Sequence, residues 1–255
     1  YEILYCDWSS DVCSSDLTNN SDGSGVNYEL GTLFQSNAAG QITALRFWKD
    51  ANETGTHTGR IWSSTGQLLA SATFANETAS GWQQQALTTP LSIAASTTYV
   101  VSVNTGGSYY VATTSGLASQ VVNGNLRSVV GNNGLYGSPG VFPTSSYSAS
   151  NYFRDISFTP GATYSISGTI GSSTNGPGTT VTLTGAASAT VTADTSGNYT
   201  FTGLANGSYT VTPTKSGFTF TPVNATLTVS NANVTALNFT ATAVVTYSIS
   251  GTIGP

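Results

Sequence analysis

Short runs of alternating apolar and polar residues, separated by turn residues, carry most of the structural signal in this chain. In Ile42–Lys49 (ITALRFWK) a period of two puts Leu45 and Phe47 on one face and Arg46 and Trp48 on the other. Leu30–Phe34, Gly59–Trp62, Gln67–Phe74, Trp82–Leu87, Thr98–Val103, Tyr109–Thr113 and Asn151–Phe158 also read as strands. Thr18–Gly25 is polar and glycine-rich and reads as a lead-in loop. From residue 163 the alternation is cleaner. Ile166/Ile170, Val181/Leu183, Val191/Ala193, Tyr199/Phe201, Tyr209/Val211, Phe218/Phe220, Leu227/Val229 and Leu237/Phe239 predict up to eight strands, with Thr, Ser or Asn between the apolar positions. Asp194-Thr195-Ser196-Gly197 and Ala205-Asn206-Gly207 are turn signals among them. No long segment has a helical period. The expectation is all-β: two antiparallel β-sandwich domains in tandem, the first jelly-roll-like.

An exact repeat sets the boundaries. Thr163–Gly171 (TYSISGTIG) returns letter for letter at Thr246–Gly254, 83 residues on from Tyr164 to Tyr247. Such a period marks a domain-sized module. The expected division is 18–160, 161–244 and the first strand of a further repeat at 245–255, making the chain a piece of a longer tandem array.

Residues 1–17 stand apart. Asp7–Leu17 (DWSSDVCSSDL) resembles the conceptual translation of a sequencing adapter, so 1–17 is read as an artefact that does not fold with the rest. Both cysteines, Cys6 and Cys13, lie inside it, which removes the disulfide they would otherwise suggest. So do Glu2, Asp7, Asp11 and Asp16; without these four acids the net charge moves from −5 to −1.

Composition narrows the partners. Charged residues are 7% of the chain, against ~25% in ordinary globular proteins, so the surface is built from hydroxyls, amides and glycine. That suits an extracellular or cell-surface protein. No apolar run reaches the ~18 residues of a membrane helix, and no basic cluster favours nucleic acid or anionic membrane.

Little chemistry is on offer for an enzyme. His57 is the one histidine, it sits between threonines, and no Gly-x-Ser-x-Gly elbow occurs. Glu53 and Glu77 each sit in an Ala-Asn-Glu-Thr stretch and read as solvated turn acids. No cofactor is implied. Asp50-x-Asn52-x-Thr54-Gly55 has the opening spacing of a calcium loop, but position twelve is Ile61 rather than a bidentate Glu, which leaves a turn as the simpler reading. Aromatic side chains beside hydrogen-bonding groups suit sugars, whose C–H faces stack on rings. Trp48, Arg46, His57, Trp62 and Tyr136 are the ligand-binding candidates, with Trp48 pointing outward if Leu45 and Phe47 are core.

Ordered motifs then carry two resemblances. Arg46-Phe47-Trp48-Lys49, Thr54–Gly59, Ile61-Trp62-Ser63, Gly66–Ala70, Glu77–Gln83 and Phe142–Tyr147 resemble the bacterial domain of unknown function 4082. That resemblance implies a β-sandwich module of large secreted bacterial proteins. Asp194-x-x-Gly197-x-Tyr199-x-Phe201-x-x-Leu204-x-x-Gly207-x-Tyr209-x-Val211 resembles carboxypeptidase-regulatory-like and collagen-adhesin B-type repeats. This implies a prealbumin-like or Ig-like sandwich, in a superfamily with starch-binding-like domains. Some adhesin versions carry a Lys–Asn isopeptide bond helped by an acid. Here Lys215 and Asp194 are the only Lys and acid of the repeat, and Asp194 belongs to the turn, so no crosslink is expected. Two readings follow: a non-enzymatic stalk or adhesion region of a secreted or surface-anchored bacterial protein, or carbohydrate-binding accessory modules of a polysaccharide-acting enzyme. The expected partners are neighbouring repeats and a polysaccharide or cell-surface glycan.

Overall fold

The structure, a computed structural model, describes residues 18–21, 25–131, 133–171 and 173–252; the separate fate expected for 1–17, with Cys6 and Cys13, lies outside them. The chain divides into two compact units, one up to Gly161 and one from Ala162. All regular structure among the described residues is β.

The first unit contains β1 (Thr18–Ser21), β2 (Glu29–Ser36), β3 (Gly40–Lys49), β4 (Thr58–Ser63), β5 (Leu68–Thr73), β6 (Gly81–Ile93) and β7 (Thr98–Asn104). After these come β8 (Tyr109–Ala112), β9 (Val122–Asn123), β10 (Leu126–Ser128), β11 (Gly134–Gly137), β12 (Ser145–Ser146) and β13 (Arg154–Pro160). A large sheet runs β12-β11-β2-β7-β4-β5, with β10 and then β9 joined to β2 beyond β11. A second sheet runs β13-β3-β6. Thr18–Ser21, expected as loop, is a strand paired with β8, because the tyrosine-rich β8 offers it an antiparallel edge. Phe34, Ile61, Val101 and Val103 of the large sheet meet Ile42, Leu45, Phe47, Ile156 and Phe158 of the small one, all buried. Each such side chain contributes about 1.5–3 kcal/mol by leaving water.

The large sheet is covered on its outer face as well. Trp62, Val100 and Leu135 form a second cluster there, closed by Leu33 and Phe142. The strands of this sheet are therefore buried on both faces around β7, whose seven residues are half-buried at one end and buried thereafter. The backbone N–H of Gly140, in the covering segment, donates to Glu29 on β2.

The second unit contains β14 (Tyr164–Gly171), β15 (Thr180–Gly185), β16 (Ala189–Thr192), β17 (Asn198–Leu204), β18 (Gly207–Thr214), β19 (Phe218–Thr221), β20 (Ala225–Val229) and β21 (Phe239–Ala243). Its sheets run β17-β14-β21-β19 and β16-β15-β18-β20. Ile166, Ile170, Val181, Leu183, Tyr199, Phe201, Tyr209 and Val211 fill the space between them. Among the described residues its strands pair antiparallel except β14 with β21, which run parallel as the first and last strands of the unit, and a parallel bridge joins Ile166 to Val234. Gly168 of the repeated motif has no room for a side chain: a Cβ would strike the carbonyl oxygen of Leu237 and lie 3.0 Å from the Tyr199 hydroxyl. The turn at Asp194 forms as its residues suggest. Asp194 Oδ1 accepts from the backbone N–H groups of Ser196 and Asn198, both at 2.8 Å, and Gly197 takes φ of +80°.

One expectation fails here. The second copy of the motif was expected to open with a strand, but Thr246–Thr252 carries none. Tyr247 is 90% exposed and Ile249 fully so, whereas Ile166, the residue equivalent to Ile249, is completely buried. The same residues form a strand only where partner strands supply the other half of each hydrogen bond.

Candidate ligand-binding site

The sequence candidates divide once folded. Trp48 and Trp82 face each other across β3 and β6, with ring centroids 5.6 Å apart at 80°. Both rings are half-buried, and Trp82 packs against the core cluster that holds Leu45 and Phe47. Arg46 is not the exposed hydrogen-bonding group the sequence suggested. It is buried, its guanidinium lies 4.7 Å over the Trp82 ring, and its Nη1 pairs with buried Asp155 at 3.3 Å. One face of Trp82 is thus already occupied by a cation.

His57 is fully buried and out of reach of a ligand. Its Nδ1 sits 2.9 Å from the Glu77 carboxylate and its Nε2 3.2 Å from the Thr105 carbonyl. Glu53 and Glu77 are not solvated turn acids. Glu77 pairs with Lys49 at 2.8 Å, and Glu53, completely buried, lies 3.4 Å from Arg154. Burial pushes Glu53 up to about 7, with Arg154 pulling the other way. Burial also holds His57 below the ordinary imidazole value, against the hydrogen bond and charge of Glu77. These groups tie the loop before β4 to β13 and to the β5–β6 connection. Sequence reading missed the role of Arg154, which opens β13 and stacks 5.2 Å from the Phe47 ring.

Trp62 is 5% exposed, so the second indole is core rather than ligand platform. Its Nε1–H donates to Ser102 Oγ at 2.7 Å, and Ser102 in turn donates to Glu29 at 2.6 Å. The Asp50 segment forms a turn. Asp50 Oδ1 accepts from the backbone and side-chain nitrogens of Asn52, at 2.8 and 3.0 Å, Thr54 is exposed, and Ile61 at the twelfth position is core. No cluster of three potential metal-ligating side chains occurs among the described residues.

Tyr136 is the candidate that lands in a cavity. It lines a hollow of about 270 Å³ with Tyr28, Leu30, Tyr110, Tyr147 and Tyr152. β11 brings Tyr136 opposite Leu30 of β2, while β8 supplies Tyr110 and the segment before β13 supplies Tyr147 and Tyr152. Tyr28 meets Tyr110 at 84° and Tyr136 at 86°, with centroids 6.1 and 6.2 Å apart. Burial raises Tyr152 to about 12, and the neighbouring phenol of Tyr110 adds to the shift. The rim is held in a demanding backbone: Ser148, Ala149 and Phe153 all have φ near +50°. Such residues persist only where surrounding contacts fix them. Here the Ser148 and Ala149 carbonyls accept from Ser115 and Leu117 N–H groups at 3.0 and 2.9 Å.

The second unit has a larger groove of about 580 Å³, lined by residues including Lys215, Phe218 and Phe220. Its charged group is already engaged: Lys215 Nζ donates to the Asn175 and Pro177 carbonyls, both at 2.7 Å, and lies 4.7 Å over the Phe218 ring.

Comparison with known proteins agrees with the two units. The carboxypeptidase regulatory-like domain family matches residues 165–242, and a domain of unknown function, DUF4082, matches 15–154. No curated protein matches the chain. Among solved structures, the chain is similar to the group B streptococcus pilus 2b backbone protein, with 11% identity over 88% of this chain and 97% of that one and a TM-score of 0.28. With more than half of its length matched, the chain belongs to the DUF4082 family, and a carboxypeptidase regulatory-like domain follows.

Proposed function

We propose that the two units are non-enzymatic modules of a large secreted or surface-anchored bacterial protein, serving as a stalk or adhesion region. The observation that carries this reading is how the first unit uses its charges. Glu29, Glu53, Glu77 and Asp155 each bond a cation inside the fold, so the acids knit strands and loops together instead of lining a cavity. The low charge of the chain and the exact return of a nine-residue motif 83 residues on support it. A stalk needs modules that hold their shape separately, each with its own core. Single-molecule stretching of the full chain should give two separate unfolding events. One concerted event, or turnover of chromogenic glycoside, ester or peptide substrates, would count against the proposal. A second reading, a carbohydrate-binding accessory module, is favoured by the tyrosine-lined hollow.

A further inference from the structure

We infer that this hollow, with the smaller one beside it, forms two adjoining subsites for consecutive neutral pyranose units of a glycan chain. The inference rests on the carbohydrate-binding reading and adds a location and a ligand class to it. Five phenols reach the hollow from separate parts of the chain, so the fold assembles them. A second hollow of about 210 Å³, lined by Val26, Asn27, Gly137 and Ser138, shares Tyr28 and Tyr136 with the first. These two rings form a common wall, as expected where a chain of rings passes from one site to the next. Each hollow is smaller than the ~300–1,000 Å³ of pockets for drug-sized molecules, which fits one ring-sized unit apiece.

The chemistry of the lining selects among such units. Among the described residues, no charged side chain lines either hollow. A phosphate, a uronic acid or a sulfated sugar finds no cation there. A quaternary ammonium group would use ring faces but none of the hydroxyls. A neutral pyranose uses both: C–H faces against the rings, and ring hydroxyls against phenols, the Asn27 amide and the Ser138 hydroxyl. Tyr147, 63% exposed at the rim, gives an entering chain a ring to meet first.

The test is isothermal titration of the full chain with neutral pentasaccharides (gluco-, xylo-, manno- and galacto-configured) and with choline. Tyr136→Ala, Tyr136→Phe and Trp48→Ala are titrated beside the parent, each after its thermal midpoint is recorded. Binding of at least one pentasaccharide, weakened tenfold or more by Tyr136→Ala, less by Tyr136→Phe and not by Trp48→Ala, supports the inference. If Tyr136→Ala does not fold, the Phe variant decides alone, through a loss of affinity at an unchanged midpoint. Binding lost in Trp48→Ala but kept in both Tyr136 variants overturns the location and leaves the carbohydrate reading standing. Choline binding without sugar binding overturns the ligand class. No binding to any pentasaccharide overturns both.

Discussion

Glu29→Ala isolates what holds the covered face of the large sheet. The carboxylate is completely buried and accepts from Arg60 Nη1 at 2.8 Å, Ser102 Oγ at 2.6 Å and Gly140 N at 2.8 Å. Hydrogen bonds to a charged group are worth about 1.5–3 kcal/mol each. Removing one partner of a buried ion pair costs about 3–5 kcal/mol, because the other charge stays behind. These overlap rather than add, so about 4 kcal/mol is expected for Glu29→Ala, and about half that for Glu29→Gln, which keeps an acceptor oxygen. Urea unfolding reads it directly. Trp48, Trp62 and Trp82 lie in the first unit and no tryptophan follows residue 161, so the fluorescence change on unfolding reports the first unit without interference from the second. With a slope of about 2 kcal/mol per molar urea, the midpoint should fall by about 2 M. Acrylamide should also quench Trp62 more readily before unfolding begins, since Gly140 anchors the segment whose Phe142 covers that indole. A midpoint shift under about 0.5 M, with quenching unchanged, would refute the reasoning.

Two further outcomes are expected. Because the folded state keeps on Glu53 a proton that the unfolded chain releases near 4.5, that contribution is full below pH 4.5 and is lost as pH rises to about 7, a change of about 3 kcal/mol. His57 acts in the opposite sense: its contribution is present above 6.5 and is lost as pH falls. Glu53→Gln should therefore leave a first unit whose stability declines on acidification below pH 6.5; an unchanged pH profile would sink the assignment. Gly168→Ala should cost the second unit about 2–3 kcal/mol by forcing β14 away from the Leu237 carbonyl, seen by circular dichroism with the tryptophan transition unmoved. A second-unit transition that stays in place would show that the backbone there gives way freely.

The second unit was almost wholly legible. Its strands are half-buried, so apolar positions alternate with Thr, Ser or Asn, and a strand forms at each of the eight expected places, though Ala193 and Leu237 fall just outside β16 and β21. The first unit was legible where one face is core, as at Leu45 and Phe47, and illegible where both faces are covered. Trp62 was read as a ligand-binding candidate because its cover comes from Phe142, 80 residues on, in a Ser/Gly/Pro-rich segment with no strand period. Glu53 and Glu77 sit in similar turns, and nothing local reveals that each meets a buried cation or imidazole from another part of the chain. The tyrosine hollow was half seen. Tyr136 was singled out as a candidate, but its convergence with Tyr28, Tyr110, Tyr147 and Tyr152 is a product of topology alone.

The duplicated motif also bears on how such a chain reaches its native state. Thr163–Gly171 fills one slot, between β17 and β21, and Thr246–Gly254 carries the same nine side chains in the same order. The slot therefore cannot tell the two apart by chemistry. It can select only by the length of chain that must close to bring each one in, and that penalty grows just logarithmically with loop length. Each added copy is a competitor for its neighbour's opening strand, so correct pairing depends on one module finishing before the next becomes available. Synthesis from the N-terminus supplies that order, whereas refolding of the whole chain from denaturant does not.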